Sequence, residues 1–192
     1  DTMEKIVPIE YSSIDANRKG FIYAVTAQSD NSMYEIKKLD PKGNNIIRVK
    51  SQNDVPAGVV LNIGNYGDIE FSYDKGIKVD TKFIDVSVDS NGFVNALDAQ
   101  RGRVFQYDSE SNFIGMFGGT GISTGTFVNP VAVESLKDNV LVLDKGSSEI
   151  VVFKPTEFGA SVRNATLLFN EGLYEKSEEL WQKVLKQSTN YE

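Results

Sequence analysis

From Phe83 onward the chain reads "FIDVSVD", "GFVNALD", "RVFQYD" and "NFIGMFGG", four short apolar segments separated by "SN", "AQRG" and "SESN". Each segment is too short for a helix and is bounded by Gly, Asn, Asp or Ser, so the four read as antiparallel strands joined by tight turns. A second copy follows in "FVNPVAVE", "NVLVLD" and "EIVVFKP", with Val86 answering Val131, Asp98 answering Asp144 and Val104 answering Ile150. The period is about 45 residues. An earlier, weaker copy spans "YSSIDANRKGFIYAVT" and "YEIKKLDPKGNNIIRV", where Gly20-Phe21 corresponds to Gly92-Phe93 and Thr26 stands in place of Asp98. A four-strand unit repeated at this interval buries its faces against its neighbours, which is the arrangement of a β-propeller. Residues 53 to 82 fit the pattern poorly; Gly58, Gly64, Gly67 and Gly76 suggest hairpin turns in an elaborated blade or connection.

One stretch of the repeat has a competing reading. In "SVDSNGFVNALD", residues 87 to 98, Ser87, Asp89, Asn91, Gly92 and Asp98 fall at the first, third, fifth, sixth and twelfth positions of an EF-hand calcium loop. The flanks decide against it. An EF-hand loop lies between amphipathic helices, whereas "FIDVSVD" alternates strictly, with Ile84, Val86 and Val88 on one face and Asp85, Ser87 and Asp89 on the other. Asn91-Gly92 is therefore expected to be a two-residue hairpin turn with positive φ. Likewise "GGTGISTG", residues 118 to 125, shares only its glycines with a phosphate loop and reads as a connection between blades.

Composition removes several function classes. A net charge of -7 excludes general affinity for nucleic acid, which requires clustered Lys and Arg. With no cysteine there is no disulfide framework or thiolate site, and with no histidine the commonest metal ligand and general base are missing. No metal and no cofactor is expected. Nor does any apolar run approach membrane-spanning length.

From about Glu157 the apolar period changes to that of helices, through Val162, Ala165, Leu168 and Phe169, then Leu173, Leu180, Trp181, Val184 and Leu185. The expected organisation is a partial propeller over residues 1–156, with about three four-stranded antiparallel blades, and a helical hairpin over residues 157–192. Closed propellers have four to eight blades. The remaining blades are thus expected in a longer parent chain, or a homodimer covers the open blade edges.

The stretch from Asp89 to Val133 resembles an NHL repeat: a turn of the form D-x-x-G, an apolar strand ending in Asp, a bend with Arg, then "FG" and a glycine-rich loop before "F-x-x-P". The resemblance implies that Asp98 pairs with Arg103 to tie one blade together; Glu35 and Glu149 occupy the Arg103 slot in the other copies. "ATLLFNEGLYEKSEELWQKVLKQSTNYE" resembles one tetratricopeptide repeat, with Ala165, Gly172 and Tyr174 at its packing positions and Ser177 where alanine is usual. In combination these are similar to Gram-positive bacterial proteins with an exported propeller, helical repeats and a Yip-type membrane domain. That implies an extracytoplasmic module, anchored in a membrane through parts outside this chain and linked to sugar uptake.

The functional reading is a non-catalytic scaffold that binds a protein or glycan partner. Its alternatives are a propeller-type hydrolase or lyase fragment, or an oligomerisation module. Lone carboxylates such as Glu35, Asp85 and Glu134 do not pair by spacing into an acid and a base. The lyase branch that carries NHL repeats uses histidine-bound metal, so this segment lacks its ligands. Candidate ligand or partner residues are Asp98, Gln100, Arg101, Asp144 and Lys145, at equivalent bends after the second strand of successive blades. Phe105, Tyr107, Phe117 and Phe153 are expected in the core between blades, and Trp181 on an apolar helix face.

Overall fold

The computed structural model describes residues 10–26, 36–46, 72–74, 77–79 and 81–188. The chain is mainly β and partly propeller-like. Three antiparallel sheets follow one another: β1 (Tyr11–Ala16), β2 (Ile22–Thr26) and β3 (Ile36–Leu39); β6 (Phe83–Val88), β7 (Val94–Asp98), β8 (Arg103–Tyr107) and β9 (Phe113–Gly118); and β10 (Pro130–Leu136), β11 (Asn139–Asp144) and β12 (Glu149–Phe153). A two-stranded ribbon, β4 (Ser72–Asp74) and β5 (Ile77–Val79), lies between the first two in sequence. Helices α1 (Glu157–Asn170) and α2 (Tyr174–Gln187) follow. Only the middle sheet has four strands among the described residues; the outer two have three each.

The repeat is written into the strand register. Tyr11 faces Thr26, Phe83 faces Asp98 and Pro130 faces Asp144, and one bulge follows each of these pairs, at Tyr11/Ser13, Phe83/Asp85 and Pro130/Ala132. Counting from the bulge places Val133, opposite Val142, in the position of Val86, opposite Ala96. The equivalence of Val86 with Val131 is therefore corrected by two residues, to Val133, and a β10–β11 connection one residue shorter than that of β6–β7 accounts for one of them. Val104 and Ile150 are equivalent as expected, paired with Leu97 and Leu143.

The first strands of the three sheets stand side by side, and the sheets pack face to face. Tyr23, Val25, Ile36, Val86, Val94, Phe105 and Tyr107 form the core between the first and second blades. Leu97, Val104, Phe127, Val133, Val140 and Val142 form the core between the second and third, with Phe117 and Phe153 tilted against each other at its margin, ring centroids 4.7 Å apart. Covered on both sides, the middle blade is buried along all of β7. Its polar members are satisfied in a chain: Gln106 Nε2 donates to Asn95 Oδ1 at 2.8 Å, Asn95 Nδ2 to Ser135 Oγ at 3.0 Å, and the hydroxyls of Ser135 and Ser87 hydrogen-bond each other.

Thr156 caps α1, its hydroxyl accepting from Gly159 N–H at 3.1 Å. The two helices meet at Ala165 and Ser177, both buried, where Ser177 Oγ donates to Ala165 O at 2.8 Å. That bond explains a serine at a position suited to alanine: the small side chain permits close approach and its hydroxyl finds a carbonyl.

Candidate functional site

The turns of the blades are built around carboxylates. Asp89 Oδ1 accepts the N–H groups of Asn91 (2.8 Å) and Phe93 (3.0 Å), Asp108 Oδ1 those of Glu110 and Asn112, and Asp40 Oδ1 those of Lys42 and Asn44. Each is an Asx turn, in which a short side chain replaces the missing ladder partner of the backbone. The β6–β7 connection is accordingly longer than a two-residue turn. Gly92 N–H returns to Asp89 O and Asp89 N–H to Phe93 O, with Gly92 at φ +89° and Asn91 outside the positive-φ region. A type I turn followed by a left-handed glycine replaces the expected type I′ pair, since the Asp89 carboxylate stabilises the wider loop. Strands flank it on both sides, so the EF-hand geometry is absent, and Asp89 and Asp98 lie at opposite ends of the blade.

The nominated rim is distributed between interior and surface. Asp98 and Asp144 close the second strands of adjacent blades and are both buried, whereas Gln100 and Lys145 are exposed and Arg101 is half-buried. Asp144 takes Val128 N–H (2.8 Å) on Oδ2, and Asn129 N–H (2.7 Å) and Gly146 N–H (2.9 Å) on Oδ1. Burial disfavours its charge, but these three donors and Ser147 outweigh it and hold the carboxyl at about 2. Asp98 accepts Gln100 N–H (3.0 Å) and Lys82 N–H (3.3 Å) on Oδ1, while its buried Oδ2 has no hydrogen-bond partner. Here burial prevails over the main-chain N–H groups of Lys82, Gln100 and Arg101 and over the Arg101 charge, and pushes the carboxyl up. The guanidinium that opposes this shift belongs to Arg101, whose Nη1 also donates to Thr81 Oγ1 at 3.2 Å. Arg103 stands across the ladder from Asp98, with Nη1 4.0 Å from Met116 Sδ. Asp98 is 0 % exposed.

The glycine-rich loop after β9 spends its donors on itself. Phe127 N–H bonds Gly119 O, Gly121 N–H bonds Phe127 O, and Thr126 bonds Ser123 O through both its N–H and its hydroxyl. It is a connection between blades. Between it and the β11–β12 bend lies an open cleft of about 590 Å³, lined by Ile122, Thr124, Asp144, Ser147, Glu149 and Ile150. Among the described residues no group of three His, Cys, Asp or Glu is placed to hold a metal ion. Glu35 lies outside the described residues.

Reasoning from the sequence missed the junction at the opposite end of the blades. Arg163 on α1 is buried, forms an ion pair with Asp89 (Nη2 to Oδ2, 2.5 Å), and lies over the Phe93 ring at 4.1 Å. Asp138, in the β10–β11 turn, stands 3.7 Å from the same guanidinium and is largely exposed. The helical hairpin is thus fastened to the turn ends of two blades. A signal was present: an arginine between Val162 and Ala165 on the apolar stripe of α1 demands a buried anion.

No family model matches the chain, and no curated protein matches it. Among solved structures it is similar to a protein of unknown function from Bacteroides caccae, at 15% identity and a TM-score of 0.43, over 77% of this chain and 43% of that one. It is also similar to streptogramin B lyase, at 14% identity and a TM-score of 0.37, over 78% of this chain and 42% of that one. The chain spans about two-fifths of the length of these structures.

Proposed function

We propose that the chain is a non-catalytic interaction module in which NHL-type blades hold a tetratricopeptide-like hairpin in a set orientation for a protein partner. The observation that carries this reading is the buried Arg163–Asp89–Phe93 junction, which spends a desolvated ion pair on holding the hairpin against the blades. Both oxygens of Asp144 and one of Asp98 are committed to main-chain N–H groups. Meanwhile Phe169 and Tyr174, with ring centroids 5.3 Å apart, and Leu173 expose apolar surface at the hairpin bend. An aromatic pair beside an exposed leucine suits a protein segment better than a glycan, whose hydroxyls call for convergent polar groups. The sequence resemblance supports an extracytoplasmic setting, with membrane attachment through parts outside residues 1–192.

A photo-crosslinking side chain at Tyr174, introduced in the living host, tests the reading. A discrete adduct is expected at Tyr174, absent when the same group replaces Gln100 or Lys145 and lost on Arg163→Ala. An adduct indifferent to Arg163, or turnover of a substrate by the purified chain that is lost on Asp98→Asn, would refute it. Protease accessibility on intact cells checks the compartment.

A further inference from the structure

Turns that join successive strands within the blades share one frame. Asn17, Asp40, Asp89 and Asp108 each accept on Oδ1 the N–H groups two and four residues ahead. The residue three ahead, Gly20, Gly43, Gly92 or Ser111, takes positive φ and returns its N–H to the carbonyl of the first. Between these fixed points the third place of the frame is held by Lys19, Lys42, Asn91 and Glu110, so the turn makes no demand on that side chain. Asn91 is exposed, and its side-chain amide has no hydrogen bond to another described residue. It is also the only asparagine in the sequence followed by glycine.

The turn at Asp89 is also the one on which the helical hairpin sits. Two other turns close on themselves: Asn44 Nδ2 donates to Asp40 Oδ2 at 3.0 Å, and Asn112 Nδ2 to Asp108 Oδ2 at 2.8 Å. Phe93 holds that fifth place after Asp89, so Asp89 Oδ2 is left for Arg163 of α1, whose guanidinium also covers the Phe93 ring. Arg163 thus holds both ends of the segment that contains Asn91-Gly92. Its middle is held by Asp89 alone, through Asn91 N–H on Oδ1 at 2.8 Å and Gly92 N–H on the main-chain oxygen at 3.1 Å.

We propose that Asn91-Gly92 is a deamidation site whose conversion releases the helical hairpin from the blades. The main-chain nitrogen of Gly92 forms a bond to Cγ of Asn91, the bond from Cγ to Nδ2 breaks, and Nδ2 leaves as ammonia with the proton of the Gly92 N–H. Water then opens the resulting five-membered imide at one of its two carbonyls, giving aspartate or isoaspartate. Glycine favours the first step, because no Cβ shields its nitrogen from the approaching carbonyl. Since the ring takes the Gly92 proton, the bond from Gly92 to Asp89 O must break first, and the pairing of Arg163 with Asp89 and Phe93 resists that opening. A docked hairpin therefore protects the site, and an undocked one exposes it. Loss of ammonia makes the conversion one-way. Isoaspartate carries the main chain through Cβ and Cγ, which lengthens the path from Asp89 to Phe93 and separates the N–H groups that converge on Asp89 Oδ1. Arg163 then no longer meets carboxylate and ring together. The chemistry needs only water, and stands whether or not the hairpin meets a partner.

The test follows the purified whole chain through prolonged incubation at mildly alkaline pH, with peptide mapping by mass spectrometry, isoaspartate methyltransferase labelling and hydrogen exchange on the same samples. Conversion is expected at Asn91 with isoaspartate among the products, and α1 and α2 are expected to lose protection in proportion to it while β6–β9 keep theirs. Arg163→Ala should quicken the conversion about tenfold or more, because the opened turn is then more populated. Asn91→Gln, whose amide would have to close a larger ring, should keep the hairpin protected through the same incubation. Should Arg163→Ala fail to fold by circular dichroism, Arg163→Lys, which keeps the charge but loses the planar fork and its stacking, gives the same comparison. Asn91 left intact while other asparagines convert, a rate indifferent to the Arg163 substitutions, or a converted chain whose helices stay protected would overturn the inference.

Discussion

At the scale of single residues, the same amino acid in the same repeat position does opposite things. Asp144 is held down to about 2 by main-chain donors, whereas Asp98 is pushed up by burial that its donors only partly offset. The signs follow by linkage. The contribution of Asp144 to stability is complete above the ordinary value of 3.8 and is lost as pH falls toward about 2. That of Asp98 is greatest below 3.8 and is lost as pH rises through its raised folded value. Asp144→Asn should therefore lower the melting temperature near neutral pH, the gap to the parent closing as pH approaches 2. Asp98→Asn should leave the neutral-pH melting temperature unchanged or raise it, because the amide keeps the accepting oxygen and removes a poorly solvated charge. Calorimetry across the acid range distinguishes the two. Gly118 answers a different demand: at φ +93°, a Cβ there would lie 2.7 Å from Gly102 O and 2.8 Å from the Phe127 ring. Gly118→Ala should cost about 2 kcal/mol or more in urea unfolding, from strain and overpacking together.

Among elements, the helical hairpin is joined to the blades through a buried arginine. Arg163→Ala leaves the Asp89 carboxylate desolvated without its partner, and is expected to cost about 3–5 kcal/mol. Asp138→Ala, removing an exposed partner 3.7 Å away, should cost less than about 1 kcal/mol. Hydrogen exchange separates junction from fold: with Arg163→Ala, α1 and α2 should lose protection while β6–β9 retain theirs. Within α1, Thr156→Ala removes the one side-chain cap and should cost about 1 kcal/mol by denaturant titration. The middle blade owes its uninterrupted burial to being sandwiched, which is why polar residues such as Asn95 and Gln106 persist there only inside a closed hydrogen-bond chain.

For the molecule as a whole, stability resides between blades rather than within them. Phe127 lies at 0 % exposure in the core joining the second and third sheets, in edge contact with Phe153 at 5.7 Å between centroids. Phe127→Ala should cost about 3–5 kcal/mol. Ile150→Ala, of the same apolar character but 62 % exposed, should change the stability of the chain by no more than about 0.5 kcal/mol. Chemical denaturation of both variants at low concentration makes the comparison.

Periodicity and turn chemistry were enough to read the blades. Alternating apolar residues and turns rich in Asp, Asn and Gly are local requirements of strands and bends, so "FIDVSVD", "GFVNALD" and the aromatic core positions Phe105 and Phe153 could be recognised one segment at a time, although Ser111, Lys137 and Ser148 also take positive φ. The Gly20-Phe21 and Gly92-Phe93 match likewise survived, because the same left-handed glycine closes both turns. What proximity along the chain does not encode had to come from tertiary structure. The width of the β6–β7 turn depends on where a carboxylate points, and the register of β10 on the length of a hairpin. The shift of Asp98 depends on how deeply neighbouring blades bury it. The pairing of Arg163 with Asp89 joins residues 74 apart in sequence, and the bonds from Val88 and Val133 to the carboxylates of Asp15 and Asp85 join residues 73 and 48 apart. Spacing reports which face a side chain occupies; only the packed fold decides what meets it there, because burial and long-range contacts set the energies.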